Sequence, residues 1–141
     1  MAAGRSRLGR ERKLKSEGAV VVRPRKRILL VEDDTDLARL YRGVLRMAGF
    51  DTQHAADGWS ALRTIDEAPP DVLVVDIHVP GLRGDELLTE LSNHPETRHI
   101  PAIVVTGTDI DLAVAQVKQI LRKPCAPERL VSVVERFAEA A

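Results

Sequence analysis

The sequence has little of what would tie a small domain together covalently or thread it through a bilayer. A single cysteine, Cys125, stands among 141 residues. That excludes an internal disulfide and a cysteine-based zinc site, and it suits a reducing compartment, so the expected location is the cytoplasm. No run of 18 apolar residues is present to span a membrane, and no apolar stretch of useful length follows the basic N-terminus as in a secretory signal. Aromatic residues amount to only 3%, so a core has to come from Val, Leu, Ile and Ala. Secreted, membrane-spanning and disulfide-stapled classes are excluded. The remainder, 44% hydrophobic and 30% charged, fits one globular domain and leaves no room for two.

The formal net charge of zero conceals a split. Residues 1–27 hold ten Lys/Arg against Glu11 and Glu17, a net +8, and the rest holds 11 basic and 19 acidic side chains, a net −8. The first 18 residues contain two leucines and no aromatic. Such a segment cannot bury enough apolar area to offset the entropy of ordering. Residues 1–24 are therefore expected to be a disordered basic tail ahead of a folded domain at 25–141. A tail of this kind suits nucleic acid or anionic lipid, or simply keeps the chain solvated. The acidic remainder suits a cation or a basic partner.

From Lys26 onward the hydrophobic period switches repeatedly. Ile28-Leu29-Leu30-Val31, Val72-Leu73-Val74-Val75 and Ala102-Ile103-Val104-Val105 are continuous apolar runs, the pattern of strands buried on both faces of a parallel sheet. Residues 51–55 read as a weaker strand and 119–122 as a poor fifth one. Between them lie helical stripes: Leu37, Leu40, Tyr41, Val44, Leu45 and Ala48, closed by Gly49; Ala61, Leu62 and Ile65 after a capping Asp57; Leu87, Leu88 and Leu91; and Leu130, Val133, Val134 and Phe137 after Pro127. Residues 110–117 form a short amphipathic stretch, read as a shortened helix. Five βα units predict an α/β fold, an open, doubly wound, five-stranded parallel sheet with helices on both faces. Such a sheet binds ligands beyond the carboxyl ends of its strands.

Those ends carry chemistry. Strand one runs into Glu32-Asp33-Asp34, strand three into Asp76, strand four into Thr106 and strand five into Lys123-Pro124. Carboxylates so close together repel and call for a cation. Hard oxygen donors with room for water favour magnesium. A carboxylate beside magnesium and a lysine can accept a phosphoryl group as an acyl phosphate, with Thr106 and Lys123 pairing with the phosphoryl oxygens. Each piece alone also has a bland origin, such as a charge cluster at a helix start or a turn threonine.

The stretch Ile28–Ala141, about four-fifths of the chain, resembles the receiver domain of two-component response regulators. The matching pieces are Ile28–Asp34, Asp76-Ile77-His78-Val79-Pro80-Gly81 with Gly84, Val104-Val105-Thr106-Gly107, and Lys123-Pro124. The resemblance implies a flavodoxin-like sheet of order 2-1-3-4-5. It implies Asp76 as phosphoacceptor from a sensor histidine kinase or a phosphotransfer protein. It implies Glu32 and Asp33 with Asp76 as the magnesium site, His78 adding its backbone carbonyl, and Thr106 and Lys123 as phosphoryl contacts. His78 and Thr108 would stand at the mouth of the site and tune hydrolysis. Such a domain receives phosphate rather than acting as a dedicated enzyme.

Asp33 to Asp76 is 43 residues and Asp76 to Thr106 is 30, both normal for receivers. Thr106 to Lys123 is only 17, shorter than is usual, and Ile120 stands where receivers often carry Tyr or Phe. Cys125 replaces a frequent Phe. No DNA-binding segment is expected after the last helix and no membrane span, so signalling is expected by protein docking or phosphotransfer. Two other classes fit less well: an aspartate-nucleophile phosphatase, for which no cap domain is present, and a receiver-like docking module that does not turn over phosphate.

Overall fold

In the computed structural model the described residues are 11–16 and 19–140, with side chains described for residues 24–139. The first two elements are strands β1 (Glu11–Ser16) and β2 (Ala19–Pro24), paired antiparallel into a separate two-stranded sheet. The disordered tail expected over 1–24 is thereby corrected at Glu11–Ser16 and Ala19–Pro24. The overlooked signal is Val20-Val21-Val22, a β-branched run that favours extended backbone. Residues 1–10 and 17–18 of that expected tail lie outside the described residues.

Then follow β3 (Arg27–Val31), α1 (Thr35–Met47), β4 (Asp51–Ala55), α2 (Gly58–Glu67), β5 (Val72–Val75), α3 (Gly84–Ser92), β6 (Ala102–Thr106), β7 (Val117–Arg122) and α4 (Pro127–Ala140). The five strands from β3 to β7 form one parallel sheet in the order β4-β3-β5-β6-β7, which is 2-1-3-4-5 counted from β3. Alternate residues of the central strands face opposite cores. Ile28, Leu30, Val72, Val74, Ile103 and Val105 join the cluster under α1 and α4. Leu29, Val31, Leu73, Val75, Ala102 and Val104 join the one under α2 and α3. This two-sided burial is why these strands read as unbroken apolar runs.

Helix boundaries follow side-chain chemistry. Asp34 caps α1 by accepting from Leu37 N–H at 3.1 Å, and Asp57 caps α2 by accepting from Ser60 N–H at 2.8 Å. Gly49 follows α1 with φ +100, the left-handed backbone that ends a helix.

The fourth crossover departs from expectation. Among the described residues there are two helices on each face, and no helix joins β6 to β7; residues 107–116 form an irregular strap. Ile110, Leu112 and Val114 are half-buried while Asp109, Asp111 and Ala113 are exposed, a period of two rather than 3.6. The stretch was amphipathic with the wrong period. Ile110 and Leu112 pack on the α2/α3 core. Buried Gln116 anchors the end of the strap, its amide donating to the carbonyls of Thr97 at 3.2 Å and Ile100 at 3.0 Å. Strand β7 begins at Val117, earlier than expected, with a register shift opposite Ala102/Ile103.

Candidate functional site

Three loops meet beyond the carboxyl ends of β3, β5 and β7. Asp76 follows directly on β5, and its N–H donates to the Val31 carbonyl at 2.9 Å. Glu32 follows β3, and its N–H donates to the Ala55 carbonyl at 3.0 Å. The sheet ladder therefore continues one residue past each strand and fixes where both carboxylates leave the backbone. Both side chains are buried, while Asp33 is exposed. One carboxylate oxygen from each of Glu32, Asp33 and Asp76 falls within a cluster in which all three lie within 4.8 Å of one another.

Lys123 leaves the end of β7, with its N–H donating to the Thr106 carbonyl at 2.8 Å. Its ammonium reaches Glu32 Oε1 at 2.7 Å and Asp76 Oδ2 at 2.9 Å. The cation demanded by the carboxylate repulsion is thus partly supplied by the protein itself. Glu32 Oε2 accepts from Asp34 N–H at 3.1 Å, and Asp76 Oδ1 accepts from His78 N–H at 3.1 Å. Burial pushes the Glu32 carboxyl up from its ordinary pKa, and the Lys123 hydrogen bond counters this only in part. Partial burial works against the Lys123 charge, but the bonds to Glu32 and Asp76 outweigh it and hold the ammonium above its usual value.

Thr106, the last residue of β6, is fully buried. Its hydroxyl accepts from Thr108 N–H at 3.3 Å and lies 3.4 Å from the Thr108 hydroxyl. His78 Nε2 in turn stands 2.9 Å from the Thr108 hydroxyl. The candidate site residues of the sequence therefore lie at this one edge of the sheet: Glu32, Asp33 and Asp76 clustered, Lys123 bonded to Glu32 and Asp76, and Thr106 and His78 joined through Thr108.

One supporting residue went unrecognised. His54 Nε2 lies 2.7 Å from the Glu32 carbonyl and steadies that residue's backbone; a lone histidine in a weak strand gave no signal. Gly84 is required by contact. A Cβ there would sit 2.3 Å from the Asp76 carbonyl oxygen and 2.7 Å from Ile77 Cα, so the start of α3 presses on the Asp76 backbone.

The donor set suits a hard divalent cation, since it offers only carboxylate oxygens, with Asp33 open to solvent. A family model for the response regulator receiver domain matches residues 28–135. The chain belongs to this family. It is 30% identical over 119 residues to the chemotaxis protein CheY-3 of Vibrio cholerae, covering 80% of this chain and 92% of that one. Among solved structures, a response regulator from Chloroflexus aurantiacus superposes with a TM-score of 0.74 at 32% identity, covering 82% of this chain and 98% of the other. The receiver domain of a sensor histidine kinase from Pseudomonas aeruginosa, solved with magnesium coordinated in its active-site cleft, gives 0.75 at 25% identity, covering 82% and 98%. The chain is thus a receiver domain of two-component signalling, a family of phosphoacceptor modules. Among the described residues no helix is long and apolar enough to cross a membrane.

Proposed function

We propose that Asp76 accepts a phosphoryl group from a phosphohistidine of a sensor kinase or phosphotransfer protein in the cytoplasm. A carboxylate oxygen of Asp76 attacks phosphorus, and the bond from phosphorus to the imidazole nitrogen breaks. The electron pair stays on that nitrogen, and an acyl phosphate forms. The observation that carries this reading is the buried Asp76 carboxylate at the end of the central strand with the Lys123 ammonium at 2.9 Å.

Glu32, Asp33 and Asp76, with the His78 main-chain carbonyl, would hold Mg2+, which when bound neutralises charge on the phosphoryl oxygens. Lys123 pairs with another phosphoryl oxygen, and the Thr106 hydroxyl hydrogen-bonds a third. His78 and Thr108, already joined across the mouth, govern access of the water that later hydrolyses the acyl phosphate. The signal leaves by protein docking or onward phosphotransfer.

Incubation with magnesium and a small acyl-phosphate donor should add one phosphoryl group by intact mass, located on Asp76. Asp76→Asn should take up none. Equal labelling of that variant overturns the acceptor assignment. A wild-type chain that never labels, with donor or with a phosphorylated kinase, is instead a docking module.

A further inference from the structure

Helices α2 and α3 leave an open groove between them on the face away from α1 and α4. Two adjoining cavities make it up, of about 370 and 490 Å³, and Leu62 and Glu90 line both. At the carboxyl-edge end stands Trp59, the single tryptophan of the chain and 58% exposed. Its ring rests on Gly81, where φ is +73 and a Cβ would come within 2.8 Å of the indole Cδ1. That end of the groove therefore touches the loop that follows Asp76. The opposite end is lined by Pro69, His94 and Glu96. The groove has an apolar floor with acidic walls: Asp66, Glu90 and Glu96 at one end, Glu86 and Glu90 at the other. Glu90 already holds His94 at 3.0 Å, which raises the His94 pKa through that hydrogen bond.

An exposed tryptophan over an acid-walled apolar channel calls for a basic segment with an apolar anchor. The chain carries one. Residues 1–10 include Arg5, Arg7 and Arg10 around Leu8 and no acidic side chain. The β1–β2 pairing places Glu11, the residue that follows this segment, opposite Pro24, three residues before β3 begins. The base of β3 is in turn bonded to the base of β5. Arg27 N–H donates to Asp71 Oδ2 at 2.7 Å, and Asp71 N–H donates to the Arg27 carbonyl at 2.8 Å. Asp71 is two residues from Pro69 at the lower mouth of the groove. Ten extended residues reach roughly 33 Å, whereas the nine-residue α3 is only about 14 Å long.

We infer that the α2/α3 groove is the seat of the chain's own N-terminal segment, residues 1–10, with Leu8 on the apolar floor and its arginines against the acidic walls. This intramolecular contact is independent of the phosphorylation reading. Its signature is the environment of Trp59. Acrylamide should quench Trp59 less in the full chain than in a chain lacking residues 2–10, and the deletion should red-shift the emission. Raising salt from about 0.05 to about 0.5 M should remove the protection. Arg5→Glu/Arg7→Glu/Arg10→Glu in the full chain should mimic the deletion, and keeps the test available should the shortened chain not fold. Adding Asp66→Lys/Glu90→Lys/Glu96→Lys to that triple variant should restore protection. Equal quenching in full and shortened chains overturns the inference. So does protection that disappears on dilution together with a dimer in sedimentation, which assigns the groove to a second copy. Protection that requires added RNA or anionic vesicles assigns the arginines to a polyanion and overturns it as well.

Discussion

Replacing Lys123 with methionine separates the two roles assigned to it. The ammonium bridges two buried carboxylates at 2.7 and 2.9 Å, and its side chain is 23% exposed. Removing one partner of a buried ion pair costs 3–5 kcal/mol, and the partial exposure argues for the lower end, about 3 kcal/mol. For a domain of this size that is about 10 °C in Tm. The pH dependence has a definite sign. Burial already raises the Glu32 pKa from 4.5, so the folded state holds that proton more tightly than the unfolded state does. Stability from this source is present at low pH and lost as pH rises through the folded value. Without Lys123 the folded pKa climbs further. The variant should therefore recover part of its deficit on acidification, relative to wild type. The assay is thermal unfolding by circular dichroism in chelator at about pH 7.5 and about pH 5.5, comparing variant with wild type so that other titrations cancel. Added magnesium should rescue the variant more than the wild type, because it replaces the lost cation. A deficit near zero, or one that neither acid nor magnesium changes, refutes the reasoning.

Asp57→Ala should lower stability by about 1 kcal/mol through loss of the α2 cap. Because its bonds from Ser60 hold the Asp57 pKa down, that difference should be full near neutrality and fade as pH falls through the folded value, as read by denaturant titration. Gly58→Ala places a Cβ 1.8 Å from the Leu82 carbonyl oxygen, a backbone clash expected to cost at least about 2 kcal/mol in the same assay. Amide hydrogen exchange over the strap, 107–116, should be fast in the free protein and slowed by a bound phosphoryl mimic, with Thr106 and Lys123 as the anchors; unchanged exchange rules out ordering as the response.

Strands were legible where both faces are buried. Val72–Val75 leaves no polar position to confuse the period, and its neighbours β3 and β6 are built the same way. The candidate site was legible because Glu32, Asp76 and Thr106 stand at the ends of readable strands, while Lys123 ends the strand that reads poorly. The 110–117 stretch misled because three apolar residues at alternate positions, within ten residues, satisfy a loose helical face as well as an extended one. The β1–β2 hairpin was hidden by its basic composition, which speaks for solvation and says nothing about backbone pairing. Contacts such as Gly84 against the Asp76 carbonyl have no local signature at all, since they depend on how α3 is set on the sheet.

A helix in the fourth crossover would be a rigid rod able to tilt or slide as a body. The strap over 107–116 has no such freedom: it is fastened at Thr106 on β6 and again through Gln116 to the Thr97 and Ile100 carbonyls. Fastened at both ends and seated midway through Ile110 and Leu112, it can only bow or tighten between those points. A change of contour there therefore stays within those ten residues and carries no further along the surface. Reach is exchanged for proximity.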